Sequence, residues 1–195
     1  MLLSDILYKV NIRSVAGSTL VEVNDIQIDS RKSKPGSVFV AVKGAATDGH
    51  QFIEKAIENG ATVIVYEDLQ PATHNPQLTY VQVENSAAAA AYMANNFFGK
   101  PSEKIKLVGV TGTNGKTTIA TLLYKLFTRL GYKCGLLSTV ENQIGEKVVP
   151  ATHTTPDAIS LNQLLSQMAN EGCTHVFMET SSHAIHQHRV TGLQY

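Results

Sequence analysis

Two periodicities of apolar residues alternate along the first hundred residues. Short apolar runs of strand length are followed by segments in which apolar residues recur every three or four positions, a pattern typical of an α/β layer. Ser86 is predicted to cap the second, alanine-rich helix. The pattern predicts strands at 26–28, 38–42, 62–66 and 79–83, and helices at 51–58 and 86–98.

The same alternation restarts after a helix stop and a proline at residues 99–102. We therefore predict a first domain over 1–98, a linker over 99–102 and a second domain over 103–195. The second domain is predicted to contain strands at 105–110, 134–137 and 175–179, a helix that ends at Gly131 and another at 158–170.

The predicted fold class is α/β, with a Rossmann-like first domain and a mostly parallel sheet in the second. Ligands of such sheets bind at the carboxyl ends of the strands. About three strands in the second domain are fewer than the five or six of a usual sheet, so we expect that domain to be incomplete.

A glycine-rich segment joins the first strand and the first helix of the second domain. It matches a phosphate-loop variant, G-x-x-G-K-T-T, with Val110 where the general pattern has glycine. Such a loop directs backbone N–H groups at an anion, and an ordinary turn has no need of Lys-Thr-Thr after its last glycine. Lys116 is expected to reach the β- and γ-phosphates of a nucleoside triphosphate and Thr117 to hold Mg²⁺. The expected nucleotide-binding residues, which the family resemblance described below assigns to ATP, are Gly112, Thr113, Asn114, Gly115, Lys116, Thr117 and Thr118.

Composition narrows the classes of function. Lys plus Arg equals Asp plus Glu at 16 each, so there is no basic field to attract nucleic acid. Cys134 and Cys173 lack the spacing of zinc ligands or redox pairs and are predicted to be buried free thiols. No segment has the length and apolarity of a membrane span or the pattern of a signal peptide, which favours a cytoplasmic protein without a membrane partner.

Other polar segments follow or precede predicted elements. Glu179 ends an apolar strand, where phosphate-loop enzymes keep an acidic Mg²⁺ ligand. The alternative is that Glu179 is a carboxylate exposed to solvent at the strand end, without a role in metal binding. Residues 152–157 form a helix-entry loop, with Asp157 expected in the first turn. Residues 181–189 contain serines and histidines, which suggest a serine–histidine nucleophile or a histidine metal site. No glycine elbow precedes the serines, and no carboxylate supports the histidines as metal ligands, so both interpretations are weak. Residues 29–32 are either a turn or an anion-binding strand end.

In this order, the segments resemble the Mur ligases of bacterial cell-wall synthesis, and within them the ligases that extend UDP-N-acetylmuramoyl-dipeptide by an amino acid. The resemblance rests on Asp29-Ser30-Arg31, on 35–41 with Gly44 and Asp48-Gly49, on Gly112 to Thr118, on His153-Thr154-Thr155-Pro156, and on 179–184 followed by Gln187 and Arg189.

The resemblance implies site residues. Lys116 and Glu179 would be catalytic, and Thr117 and Glu179 would be Mg²⁺ ligands. The role of His153 is open, because other members carry asparagine there. The residues that would contact UDP-N-acetylmuramoyl-L-alanyl-D-glutamate are Ser30, Ala45, Ala46, Thr47, His153, Thr154, Thr155, Ser181, Gln187 and Arg189.

The resemblance also implies a reaction. ATP would phosphorylate the D-glutamate carboxylate, and the amine of meso-diaminopimelate or L-lysine would attack the acyl phosphate. Such ligases are monomers with three domains and more than twice this length, so the chain is expected to be a fragment that lacks the carbamylated lysine and the amino-acid-selecting domain. Alternatives are a folylpolyglutamate-synthetase-like ligase, a simple phosphate-loop NTPase, and a non-catalytic nucleotide-binding module.

Overall fold

The computed structural model describes residues 1–44, 47–68, 75–150 and 154–195. These residues divide into two compact units, Met1–Phe97 and Phe98–Tyr195, each of which is described by itself. The predicted linker at 99–102 lies at the start of the second unit, where Pro101–Glu103 form a short 3₁₀ helix. None of the described helices is long and apolar enough to cross a membrane.

The first unit contains one five-stranded sheet with the strand order β1-β5-β4-β3-β2. Strands β2 to β5 run parallel, and β1 pairs with β5 in the antiparallel direction. The elements in chain order are α1 (Leu3–Ile6), β1 (Ile12–Ala16), β2 (Asp25–Gln27), β3 (Ser37–Val40), α2 (Ile53–Glu58), β4 (Ala61–Tyr66), β5 (Thr79–Val83) and α3 (Ser86–Phe97).

The central strands of this sheet are buried along almost their whole length. Every residue of β3 is buried, as expected for a parallel strand covered on both faces. On one face, Ile53 and Ala56 of α2 pack with Phe39 and Ile64 of the sheet. Because the central strands are buried in this way, their residues form the continuous apolar runs that predicted them. The predicted and observed ends of these strands differ by two residues at most.

Strand β1 was not predicted, and the reason lies in its environment. Four of its five residues are exposed, since it is the antiparallel edge of the sheet, and its sequence has no continuous apolar run. The predicted helix at 51–58 is also divided, because a 3₁₀ turn, Gly49–Phe52, precedes α2.

The prediction that Ser86 caps α3 is wrong by one residue. The side chain of Asn85 accepts the N–H of Ala88 at 2.8 Å and provides the cap. Ser86 is the first helical residue, and both its N–H and its hydroxyl donate to Glu67 Oε1 at 2.7 Å. The Ser86 side chain, which local sequence rules assign to the helix cap, therefore donates to a carboxylate that is distant in the sequence.

The second unit also contains five strands, in the order β6-β10-β7-β8-β9. Strands β6, β10 and β7 are parallel, whereas β7-β8 and β8-β9 are antiparallel. The elements are β6 (Lys106–Val110), α4 (Lys116–Arg129), β7 (Cys134–Leu137), β8 (Glu141–Ile144), β9 (Lys147–Pro150), α5 (Ala158–Asn170), β10 (His175–Glu179) and α6 (Ser182–His186).

The expectation of about three strands in this unit is wrong, because it missed the hairpin of β8 and β9. The hairpin turns at Gly145, whose φ of 58° lies in the left-handed region that glycine adopts at little cost. The dipeptide Gly145-Glu146 between the two short segments was the available signal of a turn. With these two strands, the sheet has five strands in the described part of the chain, which is an ordinary number.

Alternation along β10 divides the core of this unit between two helices. Val176 and Met178 face α5, where they pack with Leu161 and Leu165. Phe177 faces α4 and packs with Tyr124. The parallel strands end at one edge of the sheet and helices cover both faces, so a ligand of this unit is expected at that edge.

Candidate functional site

The glycine-rich segment forms the connection from β6 to α4. Gly115 has a φ of 81° and precedes Lys116, the first residue of α4. Glycine suits this left-handed position, which lets the loop turn sharply into the helix. The N–H groups of the first helical turn, including those of Thr117 and Thr118, have no acceptor within the helix and are suited to an anion.

Lys116 folds back over this loop. Its ammonium donates to the carbonyl of Gly112 at 2.8 Å and lies 3.5 Å from the carbonyl oxygen of Thr113. Residues 111–115 are all exposed, so solvent has access to the loop. A phosphate at the loop would offer the ammonium charged acceptors, which bind it more strongly than neutral carbonyls do.

Glu179 lies beside the start of the loop. It pairs with Val110 in the parallel β6-β10 ladder, and the N–H of Thr180 donates to the Val110 carbonyl at 2.9 Å. Glu179 is only 1% exposed, which excludes the solvated strand-end alternative. The backbone N–H of Thr139 donates to Oε1 at 2.7 Å, and the Thr139 hydroxyl lies 3.2 Å from Oε2.

Glu179 and Thr117 offer a carboxylate and a hydroxyl, which are ligand types that suit a magnesium ion. Mg²⁺ prefers oxygen ligands and is commonly held by one or two carboxylates together with nucleotide phosphates and waters. Glu179 provides a buried carboxylate at the end of β10, and Thr117 provides a hydroxyl in the first turn of α4. Within the described parts of the chain, no group of three or more His, Cys, Asp or Glu side chains could hold a metal by itself.

Four of the expected substrate-binding residues form one hydrogen-bonded cluster. Thr155 is buried, and its hydroxyl donates to the Glu179 carbonyl at 2.9 Å. The Arg189 guanidinium donates to the Thr155 carbonyl at 2.7 Å and twice to Gln187 Oε1, at 2.9 and 2.6 Å. The N–H of Ser181 is 3.4 Å from the Thr155 hydroxyl oxygen. The cluster therefore adjoins Glu179 through the backbone of β10.

The serine–histidine interpretation gains no support from these contacts. Ser181 Oγ accepts the N–H of Ala184 at 3.1 Å as the cap of α6. His188 Nδ1 lies 3.2 Å from the hydroxyl of Thr191. Ser181 and His188 thus bond to other groups, without the mutual contact that a nucleophile and its base require.

The segment before α5 lies next to the cluster. The hydroxyls of Thr154 and Thr139 are 3.2 Å apart, whereas His153 lies outside the described residues. Asp157 was expected in the first turn of the helix, but it is the N-cap: its Oδ1 accepts the N–H groups of Ile159 and Ser160, both at 3.0 Å. This cap fixes where the helix begins.

In the first unit, the expected substrate residues follow two neighbouring parallel strands. Ser30 is buried and begins a 3₁₀ helix after β2. Thr47 follows β3, and its carbonyl accepts the N–H of Gly44 at 3.0 Å. Ala45 and Ala46 lie outside the described residues. The carboxyl ends of β2 and β3 meet at one edge of the sheet, and Ser30 lies three residues beyond the end of β2.

Arg31 is engaged locally rather than open. Its guanidinium donates to both carboxylate oxygens of Asp29, at 2.9 and 2.8 Å. These hydrogen bonds hold the pKa of Asp29 below its usual value. Because the pair is largely exposed, it stabilises the fold little. Of the two alternatives for residues 29–32, the structure therefore shows the turn, in which Asp29 bonds the nearby Arg31.

Sequence reasoning missed a partly buried hydrogen-bond network that begins next to Thr47. His50 Nδ1 lies 2.5 Å from Asp48 Oδ1, and its Nε2 accepts the N–H of Glu67 at 3.0 Å. The Glu67 carboxylate accepts the bonds from Ser86. The network anchors the end of the loop to β4 and α3. A histidine two residues after an aspartate was too weak a signal to predict it.

Comparison with known proteins identifies the family. Residues 110–195 match the Mur ligase middle domain, and residues 22–98 match the catalytic domain of the Mur ligase family. The chain belongs to the Mur ligase family. This confirms the resemblance found in the sequence, and the α/β fold with two mostly parallel sheets is confirmed as well.

Similar Mur ligases include UDP-N-acetylmuramoyl-L-alanyl-D-glutamate--2,6-diaminopimelate ligases of two bacteria. The protein from Cytophaga hutchinsonii is 57% identical over 195 residues, and the one from Phocaeicola vulgatus is 50% identical over 195 residues. Both alignments cover all of this chain and 40% of the relative. The chain therefore spans about two-fifths of the length of these relatives.

Solved Mur ligase structures share the fold. A structure of a ligase with the same name superposes with a TM-score of 0.76 at 24% identity, covering 98% of this chain and 38% of that one. The Thermotoga maritima MurF ligase in complex with ADP has a TM-score of 0.50 at 28% identity, covering 83% of this chain and 32% of that one.

Proposed function

We propose that this chain provides the uridine-nucleotide-binding and ATP-binding parts of a ligase of peptidoglycan synthesis. That ligase would join an amino acid to UDP-N-acetylmuramoyl-L-alanyl-D-glutamate at the expense of ATP. The observation that carries the proposal is the 57% identity with a 2,6-diaminopimelate ligase across the whole chain. The names of the relatives favour 2,6-diaminopimelate over L-lysine as the added amino acid, and an ATP-dependent reaction of this kind implies action in the cytoplasm.

The geometry of the second unit supports ATP and Mg²⁺ as ligands. ATP bound with Mg²⁺ supplies a γ-phosphoryl group that activates the substrate carboxylate for attack by the amine. Lys116 would leave the Gly112 carbonyl and bind the β- and γ-phosphates, so that its charge offsets the charge that develops during transfer. Glu179 and Thr117 would hold the cation, and the first turn of α4 would receive phosphate oxygens.

The polar cluster at the end of β10 would hold the muramoyl substrate. The Arg189 guanidinium donates hydrogen bonds to the Thr155 carbonyl and to Gln187, which hold it in one orientation. A guanidinium held in this way is well suited to bind a carboxylate or a phosphate. Because Thr155 also bonds the Glu179 backbone, a substrate held here would lie next to the proposed metal site. Such positioning provides much of the catalysis in phosphoryl transfer.

Calorimetry tests the two binding functions separately. We expect saturable binding of UDP-N-acetylmuramoyl-L-alanyl-D-glutamate that Arg189→Ala weakens, and binding of ATP with Mg²⁺ that Lys116→Ala weakens. Each lost charged contact should lower affinity by about 10- to 100-fold, because hydrogen bonds to charged groups contribute roughly 1.5–3 kcal/mol.

Matched controls are Arg129→Ala and Lys125→Ala, both on α4 away from the loop, which should bind as the wild type does. Absence of binding of both ligands to the wild-type chain would refute the proposal for this chain. Binding of ATP without the muramoyl nucleotide would favour a nucleotide-binding module instead.

A further inference from the structure

The turn between β7 and β8, residues Ser138 to Val140, is held by buried polar contacts. The Ser138 hydroxyl donates to the Glu141 carbonyl at 2.7 Å, and the Ser138 N–H donates to Asn142 Oδ1 at 3.3 Å. Ser138 and Asn142 are almost completely buried. A turn fixed in this way presents Thr139 in one orientation at the carboxyl edge of the sheet.

Thr139 contacts both oxygens of the Glu179 carboxylate. Its backbone N–H donates to Oε1 at 2.7 Å, and its hydroxyl lies 3.2 Å from Oε2. Two contacts from one residue fix both the position and the plane of a carboxylate. An ionised carboxylate has about four acceptor sites, so lone pairs remain on both oxygens for a cation.

The direction of these hydrogen bonds links two segments of the site. An ionised Glu179 only accepts, so the Thr139 hydroxyl must give its proton to Oε2. The Thr154 hydroxyl, 3.2 Å away, is then the donor to Thr139 Oγ. A relay from Thr154 through Thr139 to Glu179 therefore joins the entry to α5 with the end of β10.

We propose that Thr139 is a positioning residue that orients the Glu179 carboxylate for the divalent cation of a bound nucleotide. The inference rests on the proposed function, because it assumes that Mg²⁺ and ATP bind at this edge. Thr139 acts through Glu179, because its N–H and its hydroxyl fix the position of the carboxylate that would hold the cation. A purely structural role would alter stability while leaving the effect of Mg²⁺ on ATP affinity unchanged.

The test measures ATP affinity of the 195-residue chain by calorimetry, with Mg²⁺ and with EDTA. Thr139→Val keeps the shape and the backbone N–H but removes the hydroxyl. We expect it to reduce the Mg²⁺-dependent gain in affinity by about tenfold, the effect of losing one hydrogen bond to a charged group, with no change in EDTA. Thr139→Ser keeps the hydroxyl and should retain the gain within about twofold.

Two further variants separate positioning from folding. Thr128→Val makes the same change on the surface of α4, where the hydroxyl donates to the Tyr124 carbonyl at 2.8 Å, and should bind ATP and Mg²⁺ as the wild type does. In a Glu179→Gln background, Thr139→Val should have no further effect on the Mg²⁺-dependent gain, since the two residues would act as one unit.

The outcomes distinguish this inference from the proposed function. An unchanged Mg²⁺-dependent gain in Thr139→Val overturns the inference, as does an equal loss of ATP affinity in Mg²⁺ and in EDTA. ATP binding to the wild type that Lys116→Ala weakens but Mg²⁺ does not affect also overturns it, while leaving the ATP site intact. If the wild type binds no ATP, the inference fails together with the ATP-binding part of the proposed function, whereas binding of the muramoyl nucleotide is tested separately.

Discussion

Replacement of Asp157 by alanine should loosen α5 and the segment that leads into the candidate site. Asp157 Oδ1 accepts the N–H groups of Ile159 and Ser160 at 3.0 Å, and Oδ2 accepts the Ser160 hydroxyl at 2.6 Å. Alanine leaves both N–H groups without an acceptor. Loss of such a cap costs about 1–2 kcal/mol, and the burial of Ile159 favours the upper part of that range.

The contribution of the Asp157 charge to stability can be measured separately from that of its capping oxygen. Asp157→Asn keeps a capping oxygen but loses the negative charge at the helix N-terminus, which is worth about 0.3–1 kcal/mol. The expected order of stability is wild type, then Asp157→Asn, then Asp157→Ala. Ser160→Ala is the control, because it removes the hydroxyl bond to Oδ2 and leaves both backbone bonds in place.

Amide hydrogen exchange is the suitable assay, because two units can unfold separately and a single melting temperature is then not well defined. Asp157→Ala should speed exchange along α5 by about 5- to 30-fold, the equivalent of 1–2 kcal/mol. Exchange in the first unit should not change. Unchanged exchange along α5 in Asp157→Ala would refute the capping argument, and equal effects of Ala and Asn would show that charge alone matters.

Further predictions concern the core of the second unit. Burial raises the pKa of the Cys134 and Cys173 thiols, so at pH 8 both should react with a disulfide reagent far more slowly than in urea; equal rates would contradict their burial. Burial, together with the charge of Lys106, lowers the pKa of His175 below 6.5. The unfolded chain then binds more protons as pH falls, so the urea midpoint of this unit should drop between pH 7.5 and 5.5, and less so in His175→Gln. Leu165→Ala should lower the free energy of unfolding by about 2–5 kcal/mol in urea titrations, because Leu165 is fully buried between α5 and the sheet.

The sequence predicted elements best where burial is continuous. The strands 79–83, 134–137 and 175–179 and the helix 158–170 lie where the periodicity placed them, because the apolar residues of each are covered by the core of its own unit. Prediction failed at the exposed edge strand β1 and at the β8-β9 hairpin, whose strands lack a continuous apolar run. It also failed at Ser86, where a distant carboxylate replaces the local cap.

The sequence alone predicted a phosphate loop and identified the family that the comparisons confirm. A glycine spacing followed by Lys116 and Thr117 is a local requirement of phosphate binding, so the chemistry can be read from adjacent residues. The tertiary structure decided what surrounds Glu179. Glu179 is buried at the end of β10, where it lies beside Val110 of β6 and contacts Thr139, which follows β7. These three strand ends come together because parallel strands that are distant in the chain end at one edge of a sheet. Strand order and register create that proximity, and neither can be read from a local pattern of residues.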